Sequence, residues 1–517
     1  MQNEDRAGTG RGENSAVKHN GFLGKYDPTL FWGTLILVSA ITLWGIIGPA
    51  SFSAAMSSSQ SWISVNFGWF FMLTVAIFII FIVWAGIRYG KIPLCQEGEV
   101  PEFSYFSWIA MLFSCGIGIG FIFWGVAEPL YHYTSTPYLA ESGTPEAARV
   151  AMQISLLHWG IHGWVCYAVA GLAIAYTTYR LKMPLSVSNA LYGILGSKTD
   201  GFWGKLVDFL ASFATIAGIA TSLGMGLMSI RFGINHVFGL ELGTTGLVVV
   251  MFLLIGIYII SAVSGLDKGI KILSDVNMSL AFFVLIFFLI AGPTVFLLNL
   301  MVDSIGAYFS NIVFMSFWTD PMSQASEGKW MGWWTIFYWS WWIAWGPFVG
   351  GFVARISKGR TIGEFVVGVL LVPLVITVVW FSVVGGGALH AEIHGTLEMY
   401  KAIAADAGSG IFTLLTIYPL GTIISFVVFI NLIIFLVTSA DSASFFVGMI
   451  VSGGELEPST AMKLIFGFLI GAISVVLLIT GGLKALQTAS IVAALPFAFV
   501  MLGMVASTIL LLNKEKQ

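Results

Sequence analysis

The sequence predicts an all-α polytopic membrane protein with twelve transmembrane helices, and three observations carry that expectation. The 517 residues are 57% hydrophobic and 9% charged, with a mean hydropathy of +0.91, where a soluble domain has roughly 25% charged residues. Twelve apolar stretches long enough to cross about 30 Å of hydrocarbon can be marked at 29–48, 67–88, 105–130, 152–178, 204–233, 244–264, 277–300, 330–354, 362–386, 411–450, 462–481 and 485–512. With the N-terminus inside, 18 of the 23 Lys and Arg residues fall on the inner side, leaving only Arg149, Arg231, Lys329, Lys401 and Lys484 outside. That bias satisfies the positive-inside rule. It predicts a multi-pass protein of the cytoplasmic (inner) membrane with both termini cytoplasmic.

The net charge of -3 says little about partners, and no basic patch laced with aromatics points to nucleic acid. Cys95, Cys115 and Cys166 have no metal-ligand spacing and read as free thiols. Residues 1–27 lack an apolar core followed by a small-residue cleavage site, so they read as a disordered cytoplasmic tail rather than a signal peptide.

Taken in order, spans one and two (within 28–104) carry few polar residues and read as peripheral helices. Span three holds Gly116-Ile117-Gly118-Ile119-Gly120. Alternate glycines cost a helix about 1 kcal/mol each and free backbone amides and carbonyls for a ligand, although close helix packing fits the same spacing. Span four places Trp159, Trp164 and Tyr167 within about 140° on one helix, with His158 and His162 among them. Ionisable side chains avoid lipid.

Span five carries Thr215, Thr221 and Ser222 among glycines, with Asp208 near its start. Such hydroxyls by default bond the preceding turn's carbonyl, and they also suit a hard cation. Residues 302–327 look too polar to span and read as an amphipathic helix on the outer interface, within a 301–329 connection. Span eight, Trp333 to Gly351, packs six tryptophans into thirteen positions before Gly346-Pro347. Trp341, Trp342 and Trp345 project within about 100° of one another, a wall suited to a cation that cannot donate a hydrogen bond, whereas Trp339 points away and reads as packing. Span ten is near forty residues long, and its polar cluster from Asn431 through Asp441 and Ser442 implies a water-lined cavity or a bend. Glu128, before Pro129 at an expected outer helix end, and Asp441 read as structural acids. Residues 513–517 form a short tail.

Setting aside spans one and two, the remainder divides into two sets of five: repeat 1 (105–300, spans three to seven) and repeat 2 (330–512, spans eight to twelve). A glycine-broken span opens the first set and a Gly346-Pro347 break is expected to open the second. Interrupted spans at matching positions mark an inverted-repeat transporter with a midplane site. An intramembrane enzyme is disfavoured, since there is no His-Glu-x-x-His motif and Glu128, Asp208, Asp275 and Asp441 make no obvious dyad. A passive channel or non-transporting receptor would show no accumulation against a gradient.

Several motifs together resemble one known family. They are Trp334-Thr335 through Tyr338-Trp339, Trp341-Trp342 and Trp345, the glycine run of span three, the His158-Trp159 to Tyr167 pattern of span four, the Gly265-Leu-Asp-Lys-Gly-Ile-Lys271 loop and Val437-Thr438-Ser439-Ala440-Asp441-Ser442. They look like those of the betaine/carnitine/choline transporters, over residues 28–512. The resemblance implies a LeuT-type fold of two inverted five-helix repeats, usually a homotrimer in the lipid bilayer. It implies an aromatic box of Trp159, Trp164, Tyr167 and Trp342 around a quaternary ammonium, with Trp341 and Trp345 along the path and Gly116, Gly118 and Gly120 offering amides to the solute's anionic end.

The resemblance also implies a Na⁺ site at Ser114, Ile117, Phe435, Thr438 and Ser439. For a second Na⁺, Thr215 and Phe348 match, but Ile219 stands where such relatives have a threonine. Gly120 stands where proton-coupled choline carriers have an aspartate, so sodium symport is expected, with no cofactor beyond the coupling ion. Glycine betaine is the first substrate expected, ahead of trimethylamine N-oxide, choline, carnitine and dimethylsulfoniopropionate. The short termini lack the long charged extensions of osmotically gated members.

Overall fold

The computed structural model describes residues 18–96, 98–116, 118–138, 140–264, 271–321, 330–455 and 457–515; the side chains of 113–116, 261–264 and 271–272 are outside that description. Among the described residues the elements are helices joined by loops, apart from an isolated bridge between Pro93 and Thr361 and a two-stranded hairpin, β1 (Lys18–Asn20) and β2 (Gly24–Tyr26). The hairpin corrects the expectation of a disordered tail through residue 27. Its strands pair in antiparallel register, Lys18 with Tyr26, and Lys25 meets Glu455 at 3.0 Å. The backbone N–H of Asp27 donates to the Val451 carbonyl at 2.8 Å. Residues 1–17 lie outside the described residues.

The helices are α1 (Pro28–Ile47), α2 (Pro49–Tyr89), α3 (Tyr105–Gly116), α4 (Ile119–Thr134), α5 (Pro145–Trp159), α6 (Ile161–Ala175), α7 (Tyr192–Leu195), α8 (Phe202–Phe238), α9 (Thr244–Ser264), α10 (Lys271–Ala291) and α11 (Thr294–Phe317). They continue with α12 (Trp330–Trp333), α13 (Thr335–Ile356), α14 (Ile362–Trp380), α15 (Gly386–Ile393), α16 (Met399–Ala405), α17 (Gly410–Leu415), α18 (Gly421–Val451) and α19 (Thr460–Lys514). A few of their starts follow ordinary capping chemistry. The Asp27 carboxylate accepts from Thr29 N–H ahead of Pro28, and Thr361 with Glu364 forms a capping box on α14. Among the described residues nine helices are long and apolar enough to cross a membrane, and 244–260 forms a shorter apolar one. Large apolar side chains such as Ile80, Ile87, Ile260, Ile290 and Val302 remain exposed on the outer helices, as a lipid-facing surface requires.

Nearly every residue of α13 is buried, and it packs against α6, α8 and α19. Glycine allows its closest approach. A Cβ on Gly350 would sit 2.6 Å from the Ala170 Cβ on α6, the small-residue contact of membrane helices.

Several expected boundaries change. Span three is broken as expected, between α3 and α4, with Gly118 extended at φ -153°, ψ -171°. Span four is also broken, which the sequence reading did not expect: Gly160 leaves the helix at φ -88°, ψ -135°. The Gly346-Pro347 break does not occur, because α13 runs helical through Pro347 and the interruption falls one residue before its start, at Trp334 (φ -118°, ψ -92°). A proline removes one N–H bond and crowds one carbonyl, and a helix buried on all sides by its neighbours absorbs that. Span seven is cut instead at Gly292-Pro293. The helix beyond it, α11, holds most of the stretch expected at the interface; it begins at Thr294, is long and apolar enough to cross, and residues 322–329 lie outside the described residues.

Span ten is not one forty-residue helix: α17 and α18 are separated around Leu420, which has φ +58°, and α18 stays helical through Asp441. Spans eleven and twelve are the two limbs of α19, divided at Gly482 (φ 60°, ψ -145°). The expected tail is engaged by the C-terminal end of α2 and by the segment that follows α6. Asn513 accepts from the Tyr89 hydroxyl at 2.5 Å and Glu515 accepts from Arg180 Nε at 2.6 Å.

Candidate functional site

A cavity of about 60 Å³ lies where α4, α6, α8, α13 and α18 meet, lined by Gly118 to Phe121, Trp159, Gly163, Trp164, Tyr167, Ser222, Trp341, Trp342, Trp345, Val349 and Ser439. Two helix breaks create it. The α3/α4 interruption presents the first turn of α4, and the Gly160 interruption ends α5 on the Trp159 ring. A helix start offers unpaired N–H groups and the positive end of the dipole.

The aromatic wall is tightly ordered. Trp341 stacks on Trp342 with ring centroids 4.7 Å apart and planes 14° from parallel. Trp159 meets Trp342 edge-on at 4.9 Å, and Tyr167 meets Trp164 at 5.2 Å and 88°. Trp341 and Trp342 are also tethered by their N–H groups. Trp342 donates to the His158 carbonyl at 2.8 Å, and Trp341 donates to the Gly218 carbonyl at 3.2 Å. Gly120 lets the rings descend onto α4, since a Cβ there would lie 2.4 Å from Trp159 Cη2 and 3.1 Å from Trp341 Cη2.

Trp159 Nε1 donates to Glu128 Oε2 at 2.7 Å, and Tyr338 donates its hydroxyl to the same oxygen. Glu128 Oε1 lies 2.6 Å from His158 Nδ1 and 3.3 Å from His132 Nε2. His158 Nε2 lies 3.0 Å from Thr335 Oγ1, so the neutral tautomer that donates from Nδ1 and accepts at Nε2 satisfies both contacts. Glu128 is 0% exposed, which corrects its reading as an acid at an outer helix end: α4 carries on through Pro129 to Thr134. The signal for its role was present in the sequence, an intramembrane carboxylate eight residues after Gly120.

The structure thus brings Trp159, Trp164, Tyr167, Trp341, Trp342, Trp345, Gly118, Gly120 and Ser439 to one cavity, with Ile119, Phe121, Gly163, Ser222 and Val349 added. Gly116 ends α3, and its surroundings lie outside the description. Of the expected sodium ligands, Ile117 and the Ser114 side chain lie outside the described residues. Phe435 and Thr438 share α18 with Ser439, and Thr438 Oγ1 donates to the Ile434 carbonyl at 2.9 Å. Thr215 Oγ1 is buried without a partner among the described residues, Ile219 is fully buried, and Phe348 meets Trp345 at 5.8 Å. Trp339 packs, stacked on His162 at 5.4 Å and 2°. Cys95 and Cys166 are free, and the Cys115 side chain lies outside the described residues.

A multi-pass helical protein with an aromatic-walled cavity framed by broken helices fits the class of membrane transporters. Comparison with known proteins narrows this. The sequence profile described as BCCT, betaine/carnitine/choline family transporter, matches residues 29–517. The glycine betaine transporter of Bacillus subtilis is 42% identical over 496 residues, covering 95% of this chain and 96% of that protein. A probable glycine betaine transporter of Desulfitobacterium hafniense is 41% identical over 95% of this chain and 98% of its own length. An ectoine/hydroxyectoine transporter of Virgibacillus pantothenticus is 40% identical over 94% and 97%. The chain belongs to the betaine/carnitine/choline transporter family, and it is a transporter, not an enzyme.

Proposed function

We propose that the protein is a symporter that imports a small methylated onium solute, glycine betaine first, with Na⁺. The observation that carries this is the cavity itself: seven aromatic side chains and, among the described residues, no Lys, Arg, Asp or Glu in its lining. Each cation-π contact contributes roughly 0.5 to 2 kcal/mol, so three or four hold a quaternary ammonium that offers no hydrogen-bond donor. The start of α4 at Gly118 to Phe121 suits the solute's carboxylate. Choline lacks that anionic end, which ranks glycine betaine above it. The names of the Bacillus and Desulfitobacterium relatives point the same way.

Sodium coupling is supported by the Ser439 hydroxyl at the cavity and by Phe435 and Thr438 on the same helix, whose hydroxyl and carbonyl oxygens are hard ligands. One Na⁺ rather than two fits Ile219 beside Thr215. Twelve spans arranged as two inverted repeats, cytoplasmic termini in the inner membrane and a homotrimer complete the reading. Each Na⁺ moved inward contributes about 2.3 kcal/mol per 100 mV.

Uptake of labelled glycine betaine is measured in a transport-deficient host with and without Na⁺. Accumulation that vanishes without Na⁺ is expected. Sodium-independent uptake refutes the coupling, and no uptake of any betaine-like solute refutes the substrate class. The Virgibacillus relative favours a second reading, a cyclic zwitterion of the ectoine type; competition by ectoine, trimethylamine N-oxide, choline, carnitine and dimethylsulfoniopropionate against labelled betaine ranks them.

A further inference from the structure

We infer that Glu128 is the remote counter-charge of the onium site and acts through the Trp159 indole without touching the solute. The inference rests on the onium reading above and explains how a cavity without a lining carboxylate can favour a cation over a neutral group of the same shape.

The geometry singles out this residue. The carboxylate is fully buried, and the groups around it can donate to both its oxygens: Trp159 and Tyr338 to Oε2, His158 and His132 to Oε1. An indole N–H can only donate, so Oε2 is an acceptor toward the box. Among the described residues the ion-pair partners of Glu128 are the two histidines, with no Lys or Arg. Glu128, His132 and His158 are close enough together to suggest a metal site, but the 2.6 Å contact between His158 Nδ1 and Glu128 Oε1 is a direct hydrogen bond that leaves no gap for an ion.

Three of its four side-chain contacts lead to the pocket. Trp159 donates to Glu128 from the ring edge and lines the cavity with the same ring system. A hydrogen bond from an indole N–H to a carboxylate pushes electron density into the ring face, the property a cation-π contact uses. Tyr338, the second donor, lies 5.8 Å from the Trp342 ring, and His158, stacked on Tyr338 at 4.4 Å, receives the Trp342 N–H on its own carbonyl. One carboxylate therefore both orients Trp159 and Trp342 and sets a negative potential behind them, in an interior where charges are weakly screened.

The test compares glycine betaine with 3,3-dimethylbutanoate, which replaces the quaternary nitrogen by carbon and keeps the carboxylate. Binding of each to purified protein is read by quenching of tryptophan fluorescence. The wild type should prefer betaine, and Glu128→Gln should narrow that preference on the order of ten- to thirty-fold, while Glu128→Asp keeps most of it. A purely structural role weakens both ligands alike; equal weakening, or an unchanged ratio, overturns the inference. If the wild type binds no betaine, the onium reading fails instead. Where Glu128→Gln does not accumulate, Trp159→Phe and Trp164→Phe form a matched pair: both trade a box indole for a phenyl, but only Trp159 is bonded to Glu128. The inference requires the larger loss of selectivity at Trp159, and equal losses refute it.

Discussion

Replacing Gly120 with alanine adds a single carbon at the point where two indoles come closest to the broken helix. The new Cβ would lie 2.4 Å from Trp159 Cη2, 3.1 Å from Trp159 Cζ3 and 3.1 Å from Trp341 Cη2, whereas carbon atoms rest at about 3.5 to 4.0 Å. Trp159 must retreat by roughly 1 Å to restore that separation. It is not free to do so, being held at its N–H by Glu128 at 2.7 Å and at its carbonyl by the Thr377 hydroxyl at 2.9 Å. Trp341 is fixed by its bond to Gly218 and its stack on Trp342. Overpacking of this kind costs about 1 to 3 kcal/mol. Paid by the box, that corresponds to a rise in KM of roughly five- to 150-fold. The assay is saturation uptake of labelled glycine betaine, normalised to the amount of protein in the membrane. Gly120→Ala with KM within twofold of wild type and normal abundance would show that the rings are not held as described.

Trp342→Ala removes one cation-π face and the tether to His158, and betaine KM should rise roughly three- to thirty-fold, measured in the same uptake assay. Thr438→Ala should raise the Na⁺ concentration for half-maximal uptake while betaine affinity at saturating Na⁺ changes little; a sodium titration of uptake rate reads this directly. Gly482→Ala forces a side chain into a conformation that only glycine adopts freely, at φ 60° and ψ -145° with nothing within 4 Å of the added carbon. The penalty of about 1 to 3 kcal/mol is therefore one of backbone strain alone, and should appear as a lower midpoint of thermal unfolding in detergent with an unchanged betaine Kd.

The parts of this protein that were legible in sequence are those set by local composition. Apolar length marked the spans, and the clustering of Trp341, Trp342 and Trp345 on one arc of a helix survived folding because α13 is a regular helix through that stretch. Pro347 misled because its local penalty of about 3 kcal/mol was weighed without the packing of α6, α8 and α19 around it. Gly160 was missed for the converse reason. Its departure from the helix is fitted to distant chain: a Cβ there would stand 3.1 Å from Leu374 Cδ1 and 3.3 Å from the Tyr308 hydroxyl. Glu128 was misplaced because three of its four partners come from α5 and α13, separated from it by up to 210 positions, and no spacing rule joins those to it. Thr438 and Ser439 were singled out by resemblance, and spacing alone would not have separated them from ordinary hydroxyls bonded to their own helix.

The near-parallel Trp341 and Trp342 pair also has an optical consequence. Two indoles 4.7 Å apart at 14° share their electronic transitions, so the pair should give a coupled band in near-ultraviolet circular dichroism that disappears in Trp341→Phe. A solute seated against one of the two rings shifts their relative orientation and with it the sign or strength of that band. The wall of the cavity thus carries its own chromophore, able to report occupancy without a label and without turnover.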